Sequence, residues 1–170
     1  MLYVISLFAV ALGVALDQYT KYLAITNIKE NPIILIKDVF QLQYLENYGA
    51  AFGMLQNQQL LFLLVGVITL CLIGYIYIRM PKTTRFIPLR VCMISIVAGA
   101  VGNMIDRVRV GYVVDFFYFE LIDFPIFNVA DIFASVATVV LVMLFLFYYK
   151  EEDMDCLFGL FSKKNNSQEQ

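Results

Sequence analysis

Histidine is absent from this chain of 170 residues, and cysteine occurs only three times. The lack of histidine removes the side chain that most often serves as a general base or as a zinc ligand. The cysteines, Cys71, Cys92 and Cys156, are far apart and form no CxxC pair. The sequence therefore supports neither a zinc centre nor a redox-active cysteine pair, and we expect no metal and no cofactor.

Charged residues are also scarce, at 15% of the chain, whereas hydrophobic residues make up 61%. A soluble domain has about 45–50% apolar and about 25% charged residues. The formal net charge of −2 provides no basic field that would attract nucleic acid, so we expect no nucleic-acid partner. The composition indicates an integral membrane protein built as one compact helical bundle.

Four apolar segments approach the length of about 20 residues that a membrane-spanning helix needs. They cover residues 3–25, 60–78, 86–105 and 132–149. The first segment lacks a positively charged stretch before its apolar run, so we expect it to be retained rather than cleaved as a signal peptide.

Four basic residues follow the second apolar segment and extend into the third, and no acidic residue separates them. They are Arg79, Lys82, Arg85 and Arg90. A basic cluster of this kind marks the cytoplasmic side of a membrane protein. We therefore predict cytoplasmic termini and extracytoplasmic segments at residues 27–58 and 106–131. Residues 1–150 form a single membrane domain in this interpretation, followed by a disordered, polar cytoplasmic tail at residues 151–170.

Two stretches in the predicted extracytoplasmic segments have the character of β-structure. Residues 40–44 alternate apolar and polar side chains, which is typical of a half-buried strand. Residues 111–127 are rich in aromatic side chains, and we predict an extended pair or hairpin lying in the membrane interface.

Several polar residues lie near the predicted outer ends of the apolar segments, and each has a possible structural role. Asp17 and Lys21 are four residues apart, so they share a helix face and can form an ion pair. Asn103 and Arg107 have the same spacing. Asn128 can cap the last helix and Asp131 falls in its first turn, where a carboxylate is favourable.

Asp115 and Asp131 also have a functional interpretation. Asp115 lies within an aromatic, apolar run and Asp131 opens the last apolar segment, so both belong at the outer membrane edge. Two nearby carboxyl groups in a medium of low dielectric constant share one proton and titrate as a unit. The ionised member can activate water while the protonated member polarises a carbonyl group. Asp106 adjoins Arg107 and lies near Arg109, so we expect it to be paired and ionised, which makes it a poor candidate for sharing a proton.

Five sequence blocks, together with the four apolar segments, resemble the lipoprotein signal peptidase family, also called signal peptidase II. The blocks are residues 17–21, 47–53, 102–107, 111–116 and 127–131, and the likeness extends over about residues 4–150. The resemblance implies a bundle of four transmembrane helices with a small extracytoplasmic β-sheet cradle. It implies an aspartyl endopeptidase of the bacterial cytoplasmic membrane, with its active site at the extracytoplasmic face.

The resemblance also implies a substrate and a set of site residues. The enzyme would remove the signal peptide from a diacylglyceryl-modified prolipoprotein, cutting just before the lipidated cysteine, and membrane lipid would surround it. Because one bundle would hold a complete site, we expect a monomer to suffice. Asp115 and Asp131 match the catalytic pair of the family. Nine further positions match residues that bind substrate or support the site: Asp17, Lys21, Asn47, Gly49, Asn103, Asp106, Arg107, Asn128 and Ala130.

Two other classes of function fit four membrane spans. A proton-coupled transporter or channel would need an acidic residue midway along a span, and the central parts of the last three segments have none. A non-catalytic assembly subunit would use the polar residues only to hold helices together. Asp115→Asn and Asp131→Asn distinguish the three, because only the peptidase loses cleavage while it remains folded in the membrane.

Overall fold

Helices dominate the computed structural model, which describes residues 1–49 and 55–162. The helices are α1 (Leu2–Asn27), α2 (Gln59–Arg79), α3 (Ile87–Val110), α4 (Val129–Met143) and α5 (Glu151–Ser162). A 3-10 turn at Thr84–Phe86 precedes α3, and a π-helical turn at Leu144–Tyr148 continues α4. Within the described residues, α1 to α4 with these turns are long and apolar enough to cross a membrane. The predicted fold class is therefore confirmed.

Helix α3 is the centre of the bundle and packs against α1, α2 and α4. Two of its glycines allow this close approach. A Cβ atom at Gly99 would lie 2.4 Å from the Ala130 carbonyl oxygen, and one at Gly102 would lie 2.5 Å from Asp17 Oδ2. Because any larger residue would collide with these atoms, glycine lets the start of α4 and the Asp17 carboxylate lie directly against α3.

A three-stranded antiparallel sheet lies beside one end of the bundle. Its strands are β1 (Ile33–Ile36), β2 (Phe40–Asn47) and β3 (Val113–Tyr118), in the order β1-β2-β3. The strand predicted at residues 40–44 is present as part of β2. The predicted hairpin at residues 111–127 is largely replaced by pairing of β3 with β2, and only a Phe117–Phe127 bridge is local.

The pairing of β3 with β2 follows from a small core that the sheet shares with α1. Val114 and Phe116 of β3 are buried with Ala24 and Ile28 at the end of α1, and Leu42 of β2 packs against them. A local hairpin within residues 111–127 would not bring β2 onto this apolar surface.

Helix α3 continues to Val110, five residues beyond the apolar segment from which it was predicted. It ends at Gly111, whose φ of +81° is a conformation that glycine adopts without strain. Asp106 and Arg107 therefore belong to the last turns of a helix rather than to an extracytoplasmic connection. Their positions relative to α1 and α4 are rigid as a result.

The prediction of a disordered tail is wrong for residues 151–162, which form α5. Leu157 is buried in a cluster with Met80, Phe86, Leu89, Met93 and Tyr149. Arg85 adds an ion pair with Asp153, with 2.9 Å between Nη2 and Oδ2. In the sequence, the apolar residues of α5 follow a run of acidic residues and precede a polar end, so composition alone suggested disorder. Residues 163–170 lie outside the described residues.

Candidate active site

Lys21 is the centre of a buried ion-pair cluster between α1 and α3. Its Nζ lies 2.9 Å from Asp17 Oδ2 and 2.8 Å from Asp106 Oδ2. All three residues are buried. The predicted pairing of Asp17 with Lys21 is confirmed. Asp106 is paired as predicted, but its partner is Lys21 rather than the adjacent Arg107. α3 turns Asp106 toward α1, which brings its carboxylate to the lysine.

The same two carboxylates hold the neighbouring elements in place through main-chain hydrogen bonds. Asp17 Oδ1 accepts a hydrogen bond from the Ala130 amide at the start of α4, at 2.9 Å. Asp106 Oδ2 accepts one from the Val114 amide of β3, at 3.2 Å. Ala130 therefore contributes through its backbone, and α4 and β3 are both fixed relative to α1.

Gln18 supports this cluster, although the sequence patterns did not single it out. Its Nε2 donates to Asp106 Oδ1 at 2.8 Å and to the Gly102 carbonyl oxygen at 3.2 Å. It follows Asp17 directly, and on an isolated helix it would have been an ordinary polar residue. Only the packing of α1 on α3 gives it this role.

Asn103 connects the lysine to Asp131. Lys21 donates to Asn103 Oδ1 at 2.7 Å, and Asn103 Nδ2 donates to Asp131 Oδ1 at 2.8 Å. An ammonium group can only donate, so it fixes which end of the Asn103 amide faces each partner. The amide therefore presents its N–H group to the Asp131 carboxyl.

Asn128 contacts both Asp131 and Asp115. Its side-chain Oδ1 accepts from the Asp131 main-chain N–H at 3.0 Å. Its main-chain N–H donates to Asp131 Oδ2 at 3.1 Å, and the two hydrogen bonds form a capping box. Its Nδ2 donates to Asp115 Oδ1 at 2.6 Å. The predicted cap is therefore confirmed, and one buried residue contacts both carboxyl groups, Asp131 through its main-chain N–H and Asp115 through its side chain.

Asp115 is almost completely buried on β3, where it pairs with Leu45 of β2. Asn47, at the end of β2, donates from Nδ2 to Asp115 Oδ2 at 2.8 Å. Asn47 Oδ1 in turn accepts from the Gly49 amide at 2.9 Å. The block of residues 47–53 thus supplies a hydrogen-bond donor to Asp115. Residues 50–53 of this block lie outside the described residues.

Burial and the neighbouring Asp131 carboxylate raise the pKa of Asp115 to about 7. The hydrogen bonds from Asn47 and Asn128 oppose this shift, because they favour the carboxylate form. Asp115 therefore loses its proton close to neutral pH, where a carboxyl group can serve as an acid or as a base.

Asp115 and Asp131 both line one cavity of about 280 Å³. Its other lining residues include predicted site residues, which are Asn47, Gly49, Asn103 and Arg107. The rest were not predicted; they are Val113, Ser135 and the run Phe124, Pro125, Ile126 and Phe127. Apart from Ser135, these side chains are apolar; none carried a chemical signal in the sequence, and only the fold places them beside the carboxyl groups.

Arg107 brings a positive charge to this cavity. Its Nη2 donates to the Gly49 carbonyl oxygen at 3.3 Å, and its Nη1 donates to the Asn103 carbonyl oxygen at 3.4 Å. Its Nε is buried without an acceptor among the described residues. A buried N–H group without an acceptor is costly, so this guanidinium is not fully satisfied by the described residues.

Neither carboxyl group belongs to a metal-binding cluster in the described parts of the chain, where no suitable group of three or more His, Cys, Asp or Glu residues occurs. The acidic residues are instead linked by lysine and asparagine side chains. The site is therefore a hydrogen-bonded arrangement of carboxyl groups, amides and two cations at one end of a helical bundle.

The fold and this site define a class, a multi-pass helical membrane protein with paired carboxyl groups at one end of its bundle. Residues 9–147 match the family model described as signal peptidase (SPase) II. The lipoprotein signal peptidase of Clostridioides difficile (strain 630) is 42% identical over 149 residues, which covers 87% of this chain and 97% of the relative. That of Caldanaerobacter subterraneus is 45% identical over 142 residues, which covers 81% and 93% of the two chains.

Solved structures agree with these sequence matches. One bacterial membrane enzyme structure superimposes with a TM-score of 0.74 at 28% identity, covering 97% of this chain and 93% of the other. A second superimposes with a TM-score of 0.73 at 30% identity, covering 85% and 94%. The chain belongs to the signal peptidase II family, and it is a bacterial multi-pass membrane protease that removes signal peptides.

Proposed function

We propose that this enzyme removes the signal peptide from diacylglyceryl-modified prolipoproteins, cutting just before the lipidated cysteine, with Asp115 and Asp131 as its catalytic pair. The observation that carries the proposal is the position of Asn128, which contacts both carboxyl groups at the edge of one cavity. The names of the similar proteins, which are lipoprotein signal peptidases, support the choice of substrate.

The raised pKa of Asp115 supports a division of roles within the pair. Asp115 keeps the shared proton and Asp131 carries the negative charge. Asp131 takes a proton from a water molecule, whose oxygen attacks the carbonyl carbon of the scissile peptide bond. Asp115 donates its proton to the carbonyl oxygen, and a tetrahedral diol forms.

Collapse of this diol completes the hydrolysis. The carbon–nitrogen bond breaks as the leaving nitrogen takes the proton that Asp131 received from water, and Asp115 recovers its proton from the diol hydroxyl. The products are a signal peptide with a free carboxyl group and a lipoprotein whose modified cysteine has a free amino group. The pair returns to its starting protonation, so the cycle needs no further cofactor.

Polar groups around the pair support substrate positioning. The Arg107 guanidinium, which belongs to a residue that lines the cavity, donates to a carbonyl oxygen of the substrate backbone. The guanidinium and the Lys21 ammonium also hold positive charge near the pair, which stabilises the ionised Asp131. The aromatic wall formed by Phe124 and Phe127 accommodates the apolar residues before the cysteine.

The substrate's lipid sets the depth of the reaction in the membrane. Diacylglycerol does not leave the bilayer, because burial of each CH₂ group is worth about 0.8 kcal/mol. The scissile bond next to it therefore stays at the membrane interface, and the substrate enters sideways. The site lies at the end of α3 opposite the basic residues Arg79 and Lys82, which supports an extracytoplasmic active site. One chain contains all the groups named, so a monomer suffices.

The test is cleavage of a diacylglyceryl-modified precursor by purified enzyme in micelles, with the new amino terminus identified by mass spectrometry. Wild type should release a product that begins with the lipidated cysteine. Asp115→Asn and Asp131→Asn should each reduce the cleavage rate by about 10²- to 10⁴-fold, because neither amide can transfer the required proton.

Asp38→Asn is the matched control, since Asp38 is exposed in the turn between β1 and β2. Its φ of +58° suits asparagine, so the variant should keep full activity. Full cleavage by both Asp115→Asn and Asp131→Asn would remove the pair from the mechanism. Equal cleavage of a precursor without the diacylglyceryl group would contradict the proposed substrate.

A further inference from the structure

A second cavity lies between α1, α2 and α3 and has no role in the proposed cleavage. Its volume is about 700 Å³, and it shares no lining residue with the candidate active site. Val101 lines this cavity and Asn103 lines the active site. Two residues correspond to about 200° of rotation around an α-helix, so the two cavities lie on opposite faces of α3.

The lining of this second cavity is apolar, and its few polar groups already have partners. Ser6 Oγ and the Tyr77 hydroxyl are hydrogen-bonded to each other, and the Tyr3 hydroxyl donates to the Ile78 carbonyl oxygen at 3.5 Å. No polar group is left over to hold water, and a cavity of this character stays dry. An apolar molecule is therefore the occupant that its chemistry favours.

The cavity opens sideways to the part of the bundle surface that faces the membrane. Two of its lining residues, Leu7 and Ile78, are 70% and 67% exposed at that surface. Both belong to helices that are able to span the bilayer. The volume falls within the range of about 300–1,000 Å³ that is typical of ligand pockets. A lipid acyl chain can thus enter directly from the bilayer.

Two cations without acidic partners lie at one end of this cavity. Lys82 Nζ is 5.0 Å from the ring centroid of Tyr3, which lines the cavity, and Arg79 ends α2 one residue after the lining residue Ile78. Among the described residues, neither Lys82 nor Arg79 forms an ion pair with a carboxylate.

Two further basic residues of this region are already engaged. Arg85 pairs with Asp153, and Arg90 donates to the carbonyl oxygens of Met80 and Pro81. Lys82 and Arg79 therefore retain positive charge beside the cavity, where it complements a phosphate group.

We propose that this cavity binds one acyl chain of an anionic phospholipid, with the phosphate beside Lys82 and Arg79. In the orientation proposed above, this lipid comes from the cytoplasmic leaflet. The bound chain fills the space between α1 and α2, and the headgroup neutralises the two cations. The site is independent of the cleavage chemistry, because it lies on the other face of α3.

Native mass spectrometry of the purified full chain tests the proposal. The protein in detergent is titrated with phosphatidylglycerol or with phosphatidylcholine that carries the same acyl chains. Wild type should retain one phosphatidylglycerol and should bind it about 30-fold more tightly than phosphatidylcholine, the preference expected from two cations that each contribute about 1 kcal/mol near an anionic headgroup.

Gly74→Leu tests the acyl-chain part of the site. Gly74 lines the cavity, and a Cβ atom there meets nothing within 4 Å, so the leucine side chain enters without a backbone clash. Phosphatidylglycerol affinity should fall by about tenfold, the loss expected when two buried CH₂ groups are displaced. Gly74→Ala, which adds only one methyl group, should retain most of the binding. Thermal unfolding of each variant establishes that it is folded.

Lys82→Gln tests the headgroup part and decides the question even if Gly74→Leu fails to fold. This variant should bind both lipids with a preference for phosphatidylglycerol that is about fivefold smaller than that of wild type, because Arg79 remains. Lys37→Gln, which removes an exposed cation from the turn between β1 and β2, should keep the preference. Equal affinity of wild type for the two lipids would overturn the proposal, as would unchanged binding by folded Gly74→Leu. A raised KM for the precursor in Gly74→Leu, with lipid binding intact, would instead assign the cavity to the signal peptide.

Discussion

At the scale of single residues, the site is a chain of side chains in which each fixes the next. Lys21 orients the Asn103 amide, and Asn103 donates to Asp131. Asn128 then links Asp131 to Asp115. Burying so many polar groups is costly unless each finds a partner, and in this network nearly every group does. Such a network holds the Asp115 and Asp131 carboxyl groups beside one cavity.

The raised pKa of Asp115 predicts how folding stability depends on pH. The unfolded chain releases this proton near pH 4, whereas the folded chain holds it up to about pH 7. Between these values the folded state binds more protons, so its stability falls as the pH rises. Asp115→Asn cannot titrate and should lack this part of the dependence.

The measurement is the unfolding temperature of both proteins in detergent between pH 4 and pH 8. Relative to Asp115→Asn, the unfolding free energy of wild type should fall by up to about 4 kcal/mol across this range. This figure follows from a pKa difference of about three units between the folded and unfolded chain, at about 1.4 kcal/mol per unit. A constant offset reflects the altered hydrogen bonds and leaves the prediction intact. Parallel curves for the two proteins would show that Asp115 has an ordinary pKa in the folded state.

At the scale of elements, α3 positions the site because its glycines admit other groups to its surface. Gly102 gives space to the Asp17 carboxylate, which holds the Ala130 amide at the start of α4. Gly99 gives space to the Ala130 carbonyl oxygen itself. The depth at which α4 begins, and hence the position of Asp131, depends on these contacts.

Gly102→Ala should therefore impair both stability and catalysis. Its Cβ atom would lie 2.5 Å from Asp17 Oδ2, so the carboxylate or the helix must move. We expect a loss of about 1–3 kcal/mol in unfolding free energy, as for other overpacked sites, and at least a tenfold lower cleavage rate. Thermal unfolding and the precursor assay measure the two effects.

Gly74→Ala is the matched control for this substitution, because a Cβ atom at Gly74 meets nothing within 4 Å. It should leave cleavage unchanged and, since alanine favours helix over glycine, raise stability by up to about 1 kcal/mol. If Gly102→Ala behaved in the same way, close packing at Asp17 would not be what positions α4.

At the scale of the whole molecule, the two ends of the bundle carry different polar groups. One end holds the buried carboxyl groups and the sheet, and the other holds the basic residues and α5. Helix α5 packs its Leu157 onto the bundle and leaves Cys156 exposed. The distribution of basic residues predicts that this second end is cytoplasmic.

Cysteine labelling in cells and in inverted vesicles tests this orientation. With Cys71→Ala and Cys92→Ala in the same chain, Cys156 is the remaining thiol. A membrane-impermeant maleimide should label Cys156 in inverted vesicles. It should not label Cys156 in cells whose cytoplasmic membrane is intact. Lys37→Cys, in a chain without the three natural cysteines, should give the opposite result. Labelling of Cys156 from outside would reverse the proposed topology.

The sequence alone determined the membrane class, the four apolar helices, the strand at residues 40–44 and the helix cap at Asn128. These features depend on local patterns, which are apolar length, alternation and capping chemistry, and such patterns can be read along the chain. The resemblance to a family also indicated which acidic residues belong to the site.

Only the tertiary structure decided which groups meet. Asp106 adjoins an arginine in the sequence, yet it pairs with Lys21 across the α1–α3 interface. Gln18, Phe124 and Ser135 carry no signal of their own and reach the site through packing. The order of α5 likewise depends on the apolar cluster that receives Leu157. The physical reason is the same in each case, because contacts between distant segments depend on three-dimensional packing that no local pattern contains.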